Sequence, residues 1–190
     1  MRKAILALAA FIFFNTSFAQ LAKRTWLIGG NGMYTSSKAK SNGDLINTYR
    51  GLTLEPNIGY FVIDKFVTGL GLSGRFGSGK YPQVDGTSTY DKWKTIGVGP
   101  FARYYFLNAE NTVNIFSTGS ALYSVNTNNN TSVKSEDFHY AFGAGAEVFF
   151  NSAVGLELLL EYYNDKALNS DWSTSGLQFK IGFQFHLEKE

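Results

Sequence analysis

The chain has 190 residues, with 17 Lys and Arg against 15 Asp and Glu, 20 Gly, 17 Phe, 11 Tyr, 3 Pro and no Cys. That length suits one domain, and the near-balanced charge gives no reason to expect nucleic acid as a partner. The missing cysteines exclude a disulfide scaffold and a lipid-bearing N-terminal Cys.

The first twenty residues, MRKAILALAAFIFFNTSFAQ, have the layout of a secretory signal. Arg2 and Lys3 form the charged start. Ala4 to Phe14 form an apolar core of 11 residues, too short to cross a bilayer as a helix. Ser17-Phe18-Ala19 supplies small residues for cleavage, expected after Ala19, so residues 1–19 read as a signal peptide and 20–190 as one exported domain. Losing Arg2 and Lys3 leaves that domain close to neutral. Past the signal, no apolar run has transmembrane-helix length.

Eight segments alternate with the period of two that marks a strand. The first, 24–36, runs into the polar stretch SKAKSNGDLIN, and the second, 48–62, ends at the short link Ile63-Asp64-Lys65. The third, 66–77, precedes SGKYPQVDGTSTYD, and the fourth, 92–106, precedes Asn108-Ala109-Glu110. The fifth, 112–124, leads into VNTNNNTSVKSE, and the sixth, 137–150, into Asn151-Ser152-Ala153. The seventh, 154–164, is followed by DKALNSDWS, and the eighth, 174–187, ends in LQFKIGFQFHL. Long polar connections therefore take turns with short links. That is the layout of an eight-stranded antiparallel up-and-down transmembrane β-barrel, with long extracellular loops and short periplasmic turns. Pro56 and Pro100 fall inside strands and forfeit ladder donors, so local bulges are expected there. Trp93 has the wrong parity for a lipid-facing ring, which places it above the membrane or after a bulge.

Alternation alone does not say which face is wet, since a soluble carrier barrel of lipocalin type alternates with its apolar face inward. Strand length favours the inverted arrangement. At roughly 3.3 Å per residue and moderate tilt, about 10 residues cross the apolar core of a bilayer, and several segments exceed that. The polar face is glycine-rich instead of densely charged. Gly69, Gly71, Gly97, Gly99, Gly143, Gly145, Gly155 and Gly182 are expected to make room in a narrow lumen for Glu55, Arg75, Arg103, Glu147, Glu157, Glu161 and Lys180. Rings collect near both ends of the strands, as they do at the two headgroup levels of a membrane. The apolar face, carrying no charge in mid-strand, is expected to meet lipid.

Two stretches, LEPNIGYFVIDKFVTGLGLS (Leu54 to Ser73) and VGPFARYYF (Val98 to Phe106), together with the layout of the chain, resemble the small outer-membrane β-barrel domain proteins of Gram-negative bacteria. This is the eight-stranded class that includes the OmpX and OmpA transmembrane domains. The resemblance covers residues 24 to 187 and implies a cell outer-membrane location, contact with membrane lipid and lipopolysaccharide, and a monomeric barrel. It also implies that the alternating last strand, Phe179, Ile181, Phe183, Phe185 and Leu187, is read by the barrel assembly machinery. Here the strand closes on Leu187 and a Glu188-Lys189-Glu190 tail, not on a terminal Phe. No peptidoglycan-binding domain follows, so no cell-wall tether is expected.

Inward charges must neutralise one another, because breaking a buried pair costs several kcal/mol. Counting from the short turns groups Arg103, Glu147 and Glu157, and counting across the last hairpin sets Lys180 beside Glu157. Glu55 and Arg75 form a second expected group. Such a network reads as a plug holding the core together or as a gate for small ions. Some barrels of this size are lipid-modifying enzymes that use His with Ser. Here the residue two positions from His139 is Ala141 and His186 lies at the periplasmic end, so no enzyme, metal or cofactor is expected. The Glu157/Glu161 pair has no further support as a glycosidase dyad. The expected role is structural or surface-interacting, with a narrow channel or uptake route for small or apolar solutes as the alternative.

Overall fold

The computed structural model describes residues 21–41, 44–82, 87–129 and 131–188. The proposed signal peptide, residues 1–19, lies outside the described residues. Eight strands follow in chain order: β1 (Trp26–Ser41), β2 (Asp44–Ile63), β3 (Phe66–Pro82), β4 (Ser88–Tyr105), β5 (Val113–Asn128), β6 (Thr131–Phe149), β7 (Val154–Ala167) and β8 (Ser173–Leu187). Each pairs antiparallel with the next, and β1 from Trp26 to Gly32 pairs with β8 from Leu187 to Ile181, so the sheet closes on itself.

The last strand settles the orientation. Phe179, Ile181 and Phe183 are 59%, 51% and 51% exposed on the outside of the cylinder, while Lys180 between them is 2% exposed within it. The outer band is continuous: Ile28 and Leu54, Leu70 and Leu72, Val98, Ile115, Phe142, Leu160 and Ile181 all face outward. In water such a surface would be untenable, at about 25 cal/mol per Å² of apolar area. In hydrocarbon it is the native solvent-facing surface. A carrier with its apolar face inward is excluded. Rings edge the band at one end, where Trp26 packs edge-on against Tyr60 at 5.0 Å and Tyr104 against Phe106 at 5.2 Å. At the other end stand Tyr34, Phe76, Tyr123, Phe138 and Tyr162.

Several local expectations change. The strands reach further at the end away from the termini than alternation indicated. β1 and β2 stay paired up to Ser41 opposite Asp44, and β3 and β4 up to Pro82 opposite Ser88. Much of the polar sequence read as loop is therefore ladder continued beyond the membrane, where strands need not be apolar on either face. Pro56 and Pro100 sit at no bulge. Register shifts occur at Ala39/Lys40, Phe61/Ile63 and Thr127/Asn128. Both prolines instead face outward where one neighbouring ladder skips a pairing, between Leu54 and Asn57 on β3's side and between Val98 and Phe101 on β5's side. Trp93 lies in unbroken register opposite Gly77 and points inward, stacked on Tyr49 with centroids 6.1 Å apart.

A charge placed in mid-band tests this orientation. Ile181→Arg should destabilise the barrel by about 2–4 kcal/mol, and Leu187→Arg at the rim by about 0–1 kcal/mol, read by urea unfolding after refolding into phospholipid vesicles. Equal, small effects at both positions would contradict a hydrocarbon-facing exterior.

Candidate functional site

Inward-facing polar side chains come from alternate positions on all eight strands, and they are stacked in layers along the lumen. The floor lies at the end where β1 begins and β8 ends. There Leu21, Leu27, Phe61, Val67 and Phe149 are buried together. Leu21 is held in place by the chain preceding β1. Lys65 N–H donates to Leu21 O at 2.8 Å, and Lys23 N–H donates to Asp64 Oδ1 at 2.7 Å. Lys65 adopts φ 65° to close the tight turn between β2 and β3, a conformation most side chains resist.

Above the floor, His186 sits among the rings of Phe149, Phe61 and Tyr105, with centroids 5.2, 5.9 and 6.2 Å away. Its Nε2 lies 2.8 Å from Glu147 Oε1, and the Tyr105 hydroxyl donates to Glu147 Oε2 at 2.6 Å. Arg103 donates through Nη1 and Nη2 to Glu157 Oε2 and Oε1 at 2.6 and 3.2 Å, a two-pronged contact that fixes both planes. Gln184 Nε2 adds a bond to Glu157 Oε2 at 2.9 Å, and the guanidinium lies 4.2 Å from the Phe116 ring centre.

The next layer is built on Lys180, whose Nζ donates to Glu55 Oε2 and Glu161 Oε1, both at 2.5 Å. Gln178 Nε2 also donates to Glu161 Oε1, at 2.8 Å. Beside this layer is a cavity of about 60 Å³ lined in part by Asn31, Asn57, Thr118, Ser120 and Glu161. Asn31 Oδ1 and Asn57 Oδ1 have no protein partner, so the space is polar and has room for a few water molecules at about 10–15 Å³ each. The topmost ionic layer joins three strands. Arg75 Nη1 donates to Asp165 Oδ2 at 2.8 Å, and His139 Nδ1 lies 2.8 Å from both Arg75 Nη2 and Asp165 Oδ1. Tyr163 stacks on His139, with centroids 6.2 Å apart.

All seven charged residues singled out from the sequence point into the lumen, and Arg103, Glu147 and Glu157 meet as expected, Glu147 through Tyr105, but the partners of Lys180, Glu55 and Arg75 differ from those expected. Lys180 stands opposite Leu159 in the β7–β8 ladder, not Glu157, and reaches Glu55 two strands away. Glu55 and Arg75 do not meet, because Arg75 spans the lumen from β3 to Asp165 on β7. The residues missed were Asp165, Tyr105, Gln184 and the floor. Asp165 shares the parity of Glu157 and Glu161, so extending the seventh segment by one residue would have found it. The glycines also act differently. A Cβ at Gly155 would strike Glu147, yet one at Gly145 would strike Phe116, and one at Gly143 would strike Leu159. Room is made there for apolar fillers, not for charge. His139 is buried and bonded to Arg75 and Asp165.

A closed eight-stranded cylinder with a lipid-facing apolar band and an ion-paired interior defines an integral outer-membrane barrel. The chain belongs to the outer membrane protein beta-barrel domain family, whose profile matches residues 4–185. It resembles the outer membrane protein OprG from Pseudomonas aeruginosa at 13% identity, covering 88% of this chain and 97% of that one, with a TM-score of 0.58. It resembles Neisserial surface protein A (NspA) at 14% identity, covering 85% and 96%, with a TM-score of 0.52. No curated protein sequence matches. At these identities the likeness is one of fold, and it is the family match that places the chain in the outer membrane.

The Arg103–Glu157 pair gives the sharpest test of the interior. Arg103→Met should cost about 3–5 kcal/mol by stranding a buried carboxylate, whereas Arg103→Met with Glu157→Leu should recover most of that loss. Equilibrium unfolding in lipid vesicles measures both, and a double variant no better than the single one would show that the pair is not coupled.

Proposed function

We propose that this protein is a closed structural and surface-interaction element of the outer membrane, its lumen filled by the network of Glu55, Arg75, Arg103, Glu147, Glu157, Glu161 and Lys180. The observation that carries this reading is the stacking of three ion-paired layers over an apolar floor, each layer tying together different strands. A hydrated pore would leave such charges lining a wall. Here they bridge across. The hydrogen bonds of His139 go to a guanidinium and a carboxylate, not to a hydroxyl nucleophile, which supports a non-enzymatic role.

The same reading includes export with cleavage after Ala19, insertion as a monomer, and use of Phe179, Ile181, Phe183, Phe185 and Leu187 as the strand read by the assembly machinery. Supporting it, those five side chains form one exposed apolar row beside the seam where β8 meets β1. The seam closes from Trp26–Gly32 to Leu187–Ile181 and leaves no strand edge there for a second copy. A narrow solute route is the second reading, favoured by the cavity of about 60 Å³ between the Lys180 and Arg75 layers.

Planar-bilayer recording separates the two. The purified barrel should show no discrete conductance steps, and Lys180→Met should destabilise it without opening a pore. Regular single-channel steps in the native protein, altered in size by Lys180→Met, would establish the channel instead.

A further inference from the structure

The outer face above the apolar band is not uniform. On β1 to β4 the outward positions change, over two residues, from rings and aliphatic groups to cations. Tyr34, Leu52 and Phe76 mark the last apolar row, with Lys94 level with them on β4. One step outward, Arg50, Ser78 and Lys92 are lateral neighbours on β2, β3 and β4. A further step out, Lys38, Thr48, Lys80 and Tyr90 form the next row, with Lys80 Nζ 5.7 Å from the centre of the Tyr90 ring.

Two hollows run down this face, of about 310 Å³ and 270 Å³, and they share Arg50 and Ser78. The upper one is bordered by Lys38, Lys80 and Tyr90, and the lower one by Lys92, Tyr34 and Phe76. Their floors are short side chains and glycine, Thr48, Ser78, Gly77 and Gly79, so the cations stand around a depression. Lys38, Arg50, Lys80, Lys92 and Lys94 are exposed, and none is in an ion pair among the described residues. No described carboxylate on β1 to β4 faces outward at this height. Glu55 is bound to Lys180, and Asp91 has the inward parity of Trp93. With strands about 4.8 Å apart and residues about 3.3 Å apart along them, the cations cover a patch about 14 Å wide. That spacing suits several anionic groups held together better than one.

We propose that this groove is a seat for a phosphate-bearing lipid headgroup of the outer leaflet. Arg50 lies at its centre, Lys38, Lys80 and Lys92 lie around it, and the acyl chains descend over Leu52, Phe76 and Leu54. The occupant is a lipid because the basic rows continue directly from the hydrocarbon-facing band, so a phosphate seated there has its chains already on the apolar face. Arg50 presents a planar fork to phosphate oxygens, and the lysines supply flexible point charges. The assignment does not depend on whether the lumen conducts.

The test measures binding of diphosphoryl lipid A to the folded protein in zwitterionic micelles by native mass spectrometry, with heat-dependent gel mobility confirming each variant's fold. Arg50→Gln with Lys80→Gln should weaken binding at least tenfold. Lys134→Gln with Lys166→Gln, on the outer face of β6 and β7, should change it less than twofold. Arg50→Lys should lie between, and it serves as the reading if the double variant fails to fold. Dephosphorylated lipid A should bind at least tenfold more weakly, and millimolar inorganic phosphate should not displace the lipid. Equal losses in both double variants would show unspecific charge attraction, and displacement by inorganic phosphate would show a free-anion site. Either result overturns the assignment.

Discussion

The hydrogen-bonded seam between β1 and β8 is the contact on which the rest of the molecule depends. In hydrocarbon an unpaired backbone N–H or C=O costs several kcal/mol, so a sheet can cross a membrane only if it has no edge. Closing eight strands fixes a narrow cylinder, and the narrowness then dictates what can be inside. Alternation assigns half of the side chains to that interior whether or not they are apolar. The outer half must be apolar, so the polar half of the sequence is forced into a space too small for bulk water.

That constraint explains why the interior is ionic and also how it is kept from being costly. A desolvated charge needs an opposite charge and further hydrogen bonds to repay its loss of water. Glu157 has Arg103 on two bonds and Gln184 on a third, and Lys180 has two carboxylates. These partners come from strands well apart in order, β3 with β7, β4 with β7 and β8 with β2. Each bond therefore braces the cylinder across its width, a direction that the ladders, running around the wall, do not reinforce. Ring packing does the same at the floor, where Phe61, Tyr105 and Phe149 surround His186.

Periodicity carried the architecture because parity is a one-bit property that each residue states for itself. Knowing that Lys180 lies between Phe179 and Ile181 is enough to send it inward. Pairing is not local in that sense. The distance from Arg75 to Asp165 depends on strand tilt, on the register of four intervening ladders and on the width of the closed barrel, none of which is written in either residue. Strand ends were misjudged for a related reason. Beyond the membrane both faces of a strand are wet, so stretches such as SKAKS and NDKA lose the contrast between odd and even positions while keeping their backbone pairing. The alternation signals burial against lipid, and it fades where lipid stops.

The two ends of the cylinder are consequently under different rules. At the floor, short links and buried rings leave little freedom, since Leu21, Phe61 and Phe149 pack on one another and on the tight turn at Lys65. At the far end the ladders continue past the apolar band as hairpins whose outward residues answer to water and headgroups alone. Arg50, Lys80 and Lys92 are compatible with that position and with no position a few residues lower, where a charge would meet hydrocarbon. Because the wall below is already specified by closure and the lumen by charge balance, the outer rows are where sequence can vary at least cost. Residues that would confer specific recognition are therefore accommodated at least cost on the exterior of the protruding hairpins, not in the braced interior.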